Sequence, residues 1–164
     1  MELMKKYVLD LIVSSVDHIN DKYVLIKLTY AEKLPEMAPG QFVEIRIDGS
    51  ATTFLRRPIS INFVDYQANE LWLLVAAIGD GTRALAQLKA GDKLNCMLPL
   101  GNTFTIPENK GAKVLLVGGG VGVAPLLYFG KVLKDNGMTP VFLLGARSAK
   151  DLLLLDEYRK YGEV

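Results

Sequence analysis

The sequence predicts a β + α/β chain: a six-stranded antiparallel β-barrel, then the start of a doubly wound parallel α/β sheet. Three observations carry that reading. Six short runs rich in Val, Ile, Leu and Tyr, separated by turn residues, fill about the first hundred residues. After Pro107 the texture changes, and apolar runs alternate with stretches of helical periodicity. A glycine cluster, Gly118-Gly119-Gly120-Val121-Gly122, joins the first of those later runs to the first of those helices. The expected domains are therefore 1–107, a barrel, and 108–164, part of an α/β unit.

The strands are expected at Tyr7–Val16, Tyr23–Thr29, Gln41–Ile47, Pro58–Val64, Glu70–Ile78 and Lys93–Leu98. Several alternate with period two, as Val24, Ile26 and Leu28 do against Leu25 and Lys27. Turns fall at Asn20-Asp21, Pro39-Gly40, Asp48-Gly49, Gly91-Asp92 and Gly101-Asn102, whose residues tolerate turn geometry. Closing these strands into a barrel removes exposed edges. One helix interrupts them, Thr82–Lys89, with Ala84, Leu85 and Leu88 at helical spacing behind Gly79-Asp80-Gly81. Beyond Pro107 the order is a strand at Lys113–Val117, a helix at Ala124–Asp135 stopped by Asn136-Gly137, and a strand at Val141–Leu144. A last helix is expected over Ala149–Tyr161 with Ser148 as its cap. Two β–α units cover a sheet poorly, and Tyr161-Gly162-Glu163-Val164 stands where a third strand is due. The expectation is a truncated second domain, the polypeptide being a fragment of a longer protein.

Composition narrows the function classes. Nineteen basic and eighteen acidic residues among 164 leave a net charge of +1, which lacks the electrostatic footprint of a nucleic-acid binder. A mean hydropathy of +0.22 suggests apolar surface covered by a partner or cofactor. The stretch without charge at Val114–Gly130 holds five glycines and a proline and falls short of the ~20 apolar residues that span a bilayer. A single cysteine, Cys96, excludes an internal disulfide or a multi-cysteine metal site; alternating with Leu94 and Leu98, it reads as a core thiol. His18, the one histidine, has no partner cluster and reads as a surface residue. The opening Met1–Lys6 has no apolar signal core, so a cytoplasmic protein is expected. No H-E-x-x-H, G-x-S-x-G or Walker-type motif occurs.

Three constellations carry candidate chemistry. In Arg56-Arg57-Pro58-Ile59-Ser60-Ile61, Pro58 stiffens the start of a strand while Arg57 offers a planar fork suited to a diphosphate. Alternation puts Arg57 and Ile59 on one face and Pro58 and Ser60 on the other, so an arginine and a hydroxyl can grip two parts of one extended ligand. A solvated arginine pair beside an ordinary strand fits the same residues. In Gly79-Asp80-Gly81-Thr82, free N–H groups at a helix start suit an anion, and glycines admit a phosphate to the backbone. A tight turn capped by Thr82 is the plainer alternative. Val117–Pro125, with Gly118, Gly119, Gly120 and Gly122, occupies the turn at which doubly wound folds hold a dinucleotide diphosphate. It departs from G-x-G-x-x-G because Val123 takes the third glycine's place, and no acidic residue stands clearly ~20 positions on. Glycine costs backbone entropy, so four in five residues favour phosphate binding over a purely structural turn.

Together with Leu55, Gly91-Asp92-Lys93-Leu94 and Pro99-Leu100-Gly101-Asn102, these constellations in this order resemble the ferredoxin-reductase family of flavoproteins. Within it the chain is most similar to the branch of electron-transfer subunits serving NAD-linked (type B) bacterial dihydroorotate dehydrogenases. The resemblance implies an FAD-binding barrel and an α/β domain that docks NAD(H). It implies Arg57 on the FAD diphosphate, with Gly81 and Thr82 opposite, and Ser60 beside the flavin's reactive nitrogen. Leu74, Val75 and Ala76 would offer backbone groups to the flavin or its ribityl chain, and Gly118–Gly122 would approach the nicotinamide nucleotide. Pro58 and Ile59 complete the flavin-binding segment, Ile59 standing where many relatives stack a tyrosine. Neither a catalytic acid or base nor a metal ligand is implied in this chain. The implied partner is an FMN-containing dihydroorotate dehydrogenase catalytic subunit in a hetero-oligomer. Electrons would pass from dihydroorotate through FMN, an iron–sulfur cluster and FAD to NAD+, in pyrimidine (UMP) biosynthesis. That branch carries four cysteines for a [2Fe-2S] cluster, so the cluster is expected only from a C-terminal segment absent here. Two further readings keep the barrel: an NAD(P)H–ferredoxin or sulfide/hydrogenase-type reductase subunit, and a non-catalytic nucleotide-sensing module. NAD and NADP are not distinguished.

Overall fold

Six antiparallel strands close on themselves in the order β1-β2-β5-β4-β3-β6. They are β1 (Tyr7–His18), β2 (Tyr23–Thr29), β3 (Phe42–Ile45), β4 (Arg57–Asp65), β5 (Glu70–Ala76) and β6 (Lys93–Leu100). This computed structural model describes residues 5–164, so most of the opening segment Met1–Lys6 lies outside the described residues. β1 is long enough to pair β6 with its first half and β2 with its second, a register shift at Ser14 bending it between the two. Alternating side chains fill the interior, among them Leu11, Ile26, Leu28, Val43, Ile45, Ile61 and Leu73, each fully buried. Burial of each such side chain stabilises the fold by ~1.5–3 kcal/mol.

Beyond the barrel, β7 (Lys113–Gly119) and β8 (Thr139–Gly145) pair in parallel, and α2 (Ala124–Asp135) crosses between them after a 3-10 turn at Gly120–Val123. α2 ends as its sequence predicts. Asn136 caps it, Gly137 turns left-handed at φ +80°, and the amides of Gly137 and Met138 return to the carbonyls of Lys134 and Leu133. Leu116 and Phe142 are buried on the α2 side of the pair, while Leu115, Val117 and Leu143 lie exposed on the opposite face. One continuous buried core runs from the barrel into these elements, because α2 also packs against β4. Glu163 forms a parallel bridge to Val141, so the chain adds to the free edge of β8 where a third strand was expected.

Several boundaries differ from the sequence reading. β3 stops short of Gln41 and Ile47: Gln41 is drawn into the preceding turn, where its Oε1 accepts from the Ala38 amide at 2.7 Å. The short helix α1 is Asp80–Leu85 rather than Thr82–Lys89. It starts early because Gly79, extended, is already the cap, and it ends early because Gln87 and Leu88 tighten into turns on Ala84 and Leu85. The expected single helix over Ala149–Tyr161 is broken. A 3-10 turn at Ala149–Asp151 leads through Leu154, left-handed at φ 55°, into α3 (Leu155–Arg159). Leu153 and Tyr158 are both buried, yet five residues apart they would stand about 140° round one helix. The break lets both point inward.

Candidate functional site

Strand pairing makes the first half of the site. β4 pairs β5 only from Ile61↔Leu73 to Asp65↔Glu70. Upstream, Arg57–Ser60 pair with β3 on their other side, and Leu74–Ala76 pair with β2 on theirs. Among the described residues the seam between β4 and β5 therefore parts at this end of the barrel. Each strand leaves a backbone edge facing the gap, and such edges call for a partner.

α1 begins beside that gap. A Cβ on Gly81 would come 2.9 Å from Nε of Arg57 and 3.1 Å from Cγ2 of Thr53, so the guanidinium lies directly against the first turn of the helix. Arg57 donates one bond, Nη1 to the Arg56 carbonyl at 3.2 Å, and its other donors meet no acceptor among the described residues. Arg56 is engaged elsewhere. Its Nη1 donates to the carbonyls of Glu44 and Asn95, both at 3.2 Å, and its Nη2 to Oδ1 of Asn95. The arginine pair thus divides into one residue that ties β3 to β6 and one that stays free beside Gly81. Thr82 is not the cap the plainer alternative made it. From the third helical position its Oγ1 accepts from the amides of Ile78 and Gly79 and donates to the Gly79 carbonyl, which fixes the loop. Ser60 stands opposite Phe42, half-buried, with no partner for its hydroxyl among the described residues. Ile59 is half-buried opposite Val43, and Pro58 is exposed. A guanidinium fork laid on bare backbone at a parted seam suits a diphosphate carrying a flat ring system.

The second half is an open cleft of about 600 Å³ between the barrel and the C-terminal ends of β7 and β8. Ala76 and Ile78 line one side; Gly119, Gly120 and Val121 line the other, with Gly145 and Arg147 beyond. The glycines divide. Gly120 takes φ +55°, which bends the chain into the 3-10 turn. Gly118 faces away from the cleft, where a Cβ would strike Leu126 at 2.8 Å, so it serves the packing of α2 on β7. Gly119 lies against the Gly145 backbone, and Gly122 borders open space. The sequence reading did not include Tyr23 and Asp151, which also line the cleft. A tyrosine opening a strand and an aspartate in a turn carry no local signal of their own.

Among the described residues three side-chain hydrogen bonds join the two halves. Nδ2 of Asn62, wholly buried on β4, donates to the Ala124 carbonyl at 2.8 Å, while its Oδ1 has no partner among the described residues. Tyr128 Oη donates to the Met37 carbonyl at 3.0 Å, and Asn20 Nδ2 to the Lys150 carbonyl at 2.9 Å. His18 is exposed at the end of β1, and Cys96 is buried, its thiol pushed up to about 12 by burial. Among the described residues no group of three or more His, Cys, Asp or Glu is placed to hold a metal, and no helix is long and apolar enough to cross a membrane.

No family model matches the chain. It is 42% identical over 126 residues to the "Dihydroorotate dehydrogenase B (NAD(+)), electron transfer subunit" of Bacillus velezensis, a match covering 76% of this chain and 49% of that protein. It is 37% identical over 155 residues to the protein of that name from Shouchella clausii, covering 93% and 59%. The chain thus spans about half the length of the curated relatives it matches. Among solved structures, an NADH-dependent reduced ferredoxin-NADP oxidoreductase superposes with a TM-score of 0.81 at 30% identity, over 94% of this chain and 54% of that one.

Proposed function

The chain has the ferredoxin-reductase-like fold and is related to dihydroorotate dehydrogenase B electron transfer subunits; on that premise we propose that it is the flavin-holding part of such a subunit. The observation that carries this reading is the parted β4–β5 seam with Arg57 laid against Gly81. FAD, when bound, exchanges electrons singly or as a hydride, and so joins a one-electron partner to nicotinamide. Arg57 and the backbone of the first turn of α1 hold the diphosphate. The edge of Leu74–Ala76 and the hydroxyl of Ser60 face the ring. Residues 1–107 bind FAD and residues 108–164 start the NAD(H) domain, whose Gly119-Gly120 turn brings the dinucleotide to Ala76. The three bonds between the halves keep that approach fixed, so orientation is supplied before the ligand arrives. No side-chain acid or base is required. The partner is an FMN-containing subunit that oxidises dihydroorotate, a [2Fe-2S] centre lies outside this chain, and the protein works in the cytoplasm.

The test is flavin content. The purified chain incubated with FAD is expected to bind it near stoichiometrically, Arg57→Ala to lose it, and Arg56→Ala to retain it with a lower melting temperature. A wild-type chain that stays colourless refutes the proposal. The likeness to a ferredoxin-NADP oxidoreductase favours a second reading, a reductase serving another one-electron partner. Co-purification with an FMN protein that oxidises dihydroorotate discriminates between them.

A further inference from the structure

We propose that Tyr23 binds the nicotinamide end of the dinucleotide, an assignment that rests on the reading of the cleft given above. Tyr23 opens β2 behind a turn fixed by Asn20, whose Oδ1 accepts from the amides of Lys22 and Tyr23 at 2.9 and 3.1 Å. It stands directly opposite Ala76, and cross-strand partners share a face of the sheet. The ring therefore lies beside the last residue of the open β5 edge. Its other end reaches across the cleft, where the phenol oxygen lies 3.9 Å from the position a Cβ on Gly120 would take. One side chain thus spans the junction between the flavin strand and the glycine turn.

The ring is half-buried against the core, yet its hydroxyl has no protein partner among the described residues. The hydroxyl is not enclosed by protein but borders the open cleft, where a ligand can reach it. The ligand that completes the site must bring a flat apolar ring between Ala76, Ile78 and Val121 and a hydrogen-bonding group within reach of the phenol. The nicotinamide carboxamide has both a donor and an acceptor beside a flat ring. Arg147, beyond the end of β8, supplies a cation on the α/β side of the cleft, the side suited to the phosphate-bearing adenosine end. Gly120 keeps the facing wall clear, since any side chain there would point at the phenol.

The test compares wild type with Tyr23→Phe, both loaded with FAD, by calorimetric titration with NAD+, nicotinamide mononucleotide and ADP-ribose. The variant is expected to weaken NAD+ and the mononucleotide by about three- to tenfold, as for one lost hydrogen bond. ADP-ribose affinity and FAD content should not change. An equal loss for ADP-ribose, or NAD+ affinity within about twofold of wild type, overturns the role of Tyr23 and leaves the flavin reading standing. A wild-type chain that takes up FAD but none of the three ligands overturns both the role of Tyr23 and the reading of the cleft. Failure to take up FAD at all refutes the function proposed above.

Discussion

Gly81→Ala separates flavin binding from folding. The added Cβ would stand 2.9 Å from Nε and 3.3 Å from Cγ of Arg57, where ordinary contact begins at 3.4 Å. The nearest obstacle is the movable end of a long side chain, so the arginine gives way by about half an ångström or swings out, while the helix stays. Alanine at a helical position is favoured over glycine by ~0.5–1 kcal/mol, which offsets the crowding of Thr53. The apo protein should therefore melt within a few degrees of wild type. The ligand loses at least one charge-assisted bond of ~1.5–3 kcal/mol, so FAD should bind roughly ten- to a hundredfold more weakly. Thermal melting of the apo chain and fluorescence titration with FAD measure the two effects separately. Unchanged FAD affinity would show that the guanidinium and the helix turn do not form one cradle, and a collapse of apo stability would show that Gly81 is there for packing alone.

Two further outcomes concern the scaffold. Gly130→Ala sets a Cβ into the ring of Phe142, 2.8 Å from Cε1, and that ring is buried with no open space to move into. It should lower stability by ~1–3 kcal/mol in urea unfolding, and an unchanged midpoint would mean that α2 is not seated on β8 as described. Alkaline pH should weaken the fold, because burial pushes the Cys96 thiol up to about 12 and the Tyr128 and Tyr158 phenols upward as well. The stability is whole below the ordinary thiol value near 9. Above it the unfolded chain releases protons that the folded chain keeps, so the urea midpoint should fall from pH 9 towards 12. A midpoint flat from pH 8 to 11 contradicts this, as does alkylation of Cys96 in the native protein at pH 8.

The barrel was legible because its period is local. β2 and α2 match their predicted spans residue for residue, since alternation in one and a glycine stop in the other are written in adjacent positions. The broken last helix was not legible, because Leu152–Leu155 looks helical until Tyr158 requires a place beneath Val123, to whose carbonyl its hydroxyl donates at 2.8 Å. The plainer alternative of Thr82 as helix cap fails for a similar reason: which backbone groups a hydroxyl meets depends on where the helix starts. At the site, residue types in order indicated Arg57 and Gly81 but could not show that they touch, nor that Arg56 would be claimed by Asn95. The parting of β4 from β5 has no sequence mark at all. It follows from each strand's other neighbour and becomes visible only once the barrel is closed.

The bonds at Asn62, Tyr128 and Asn20 tie the α/β residues to β4, to the loop before β3 and to the first hairpin. Ties at three separate places resist rocking in any direction, since each rotation must stretch at least one of them. Traffic into the junction then runs through its open mouth, with no jaw to swing. On the function proposed above, the spacing of flavin and nicotinamide would then be set by the scaffold itself, with no domain closure needed to bring the two together.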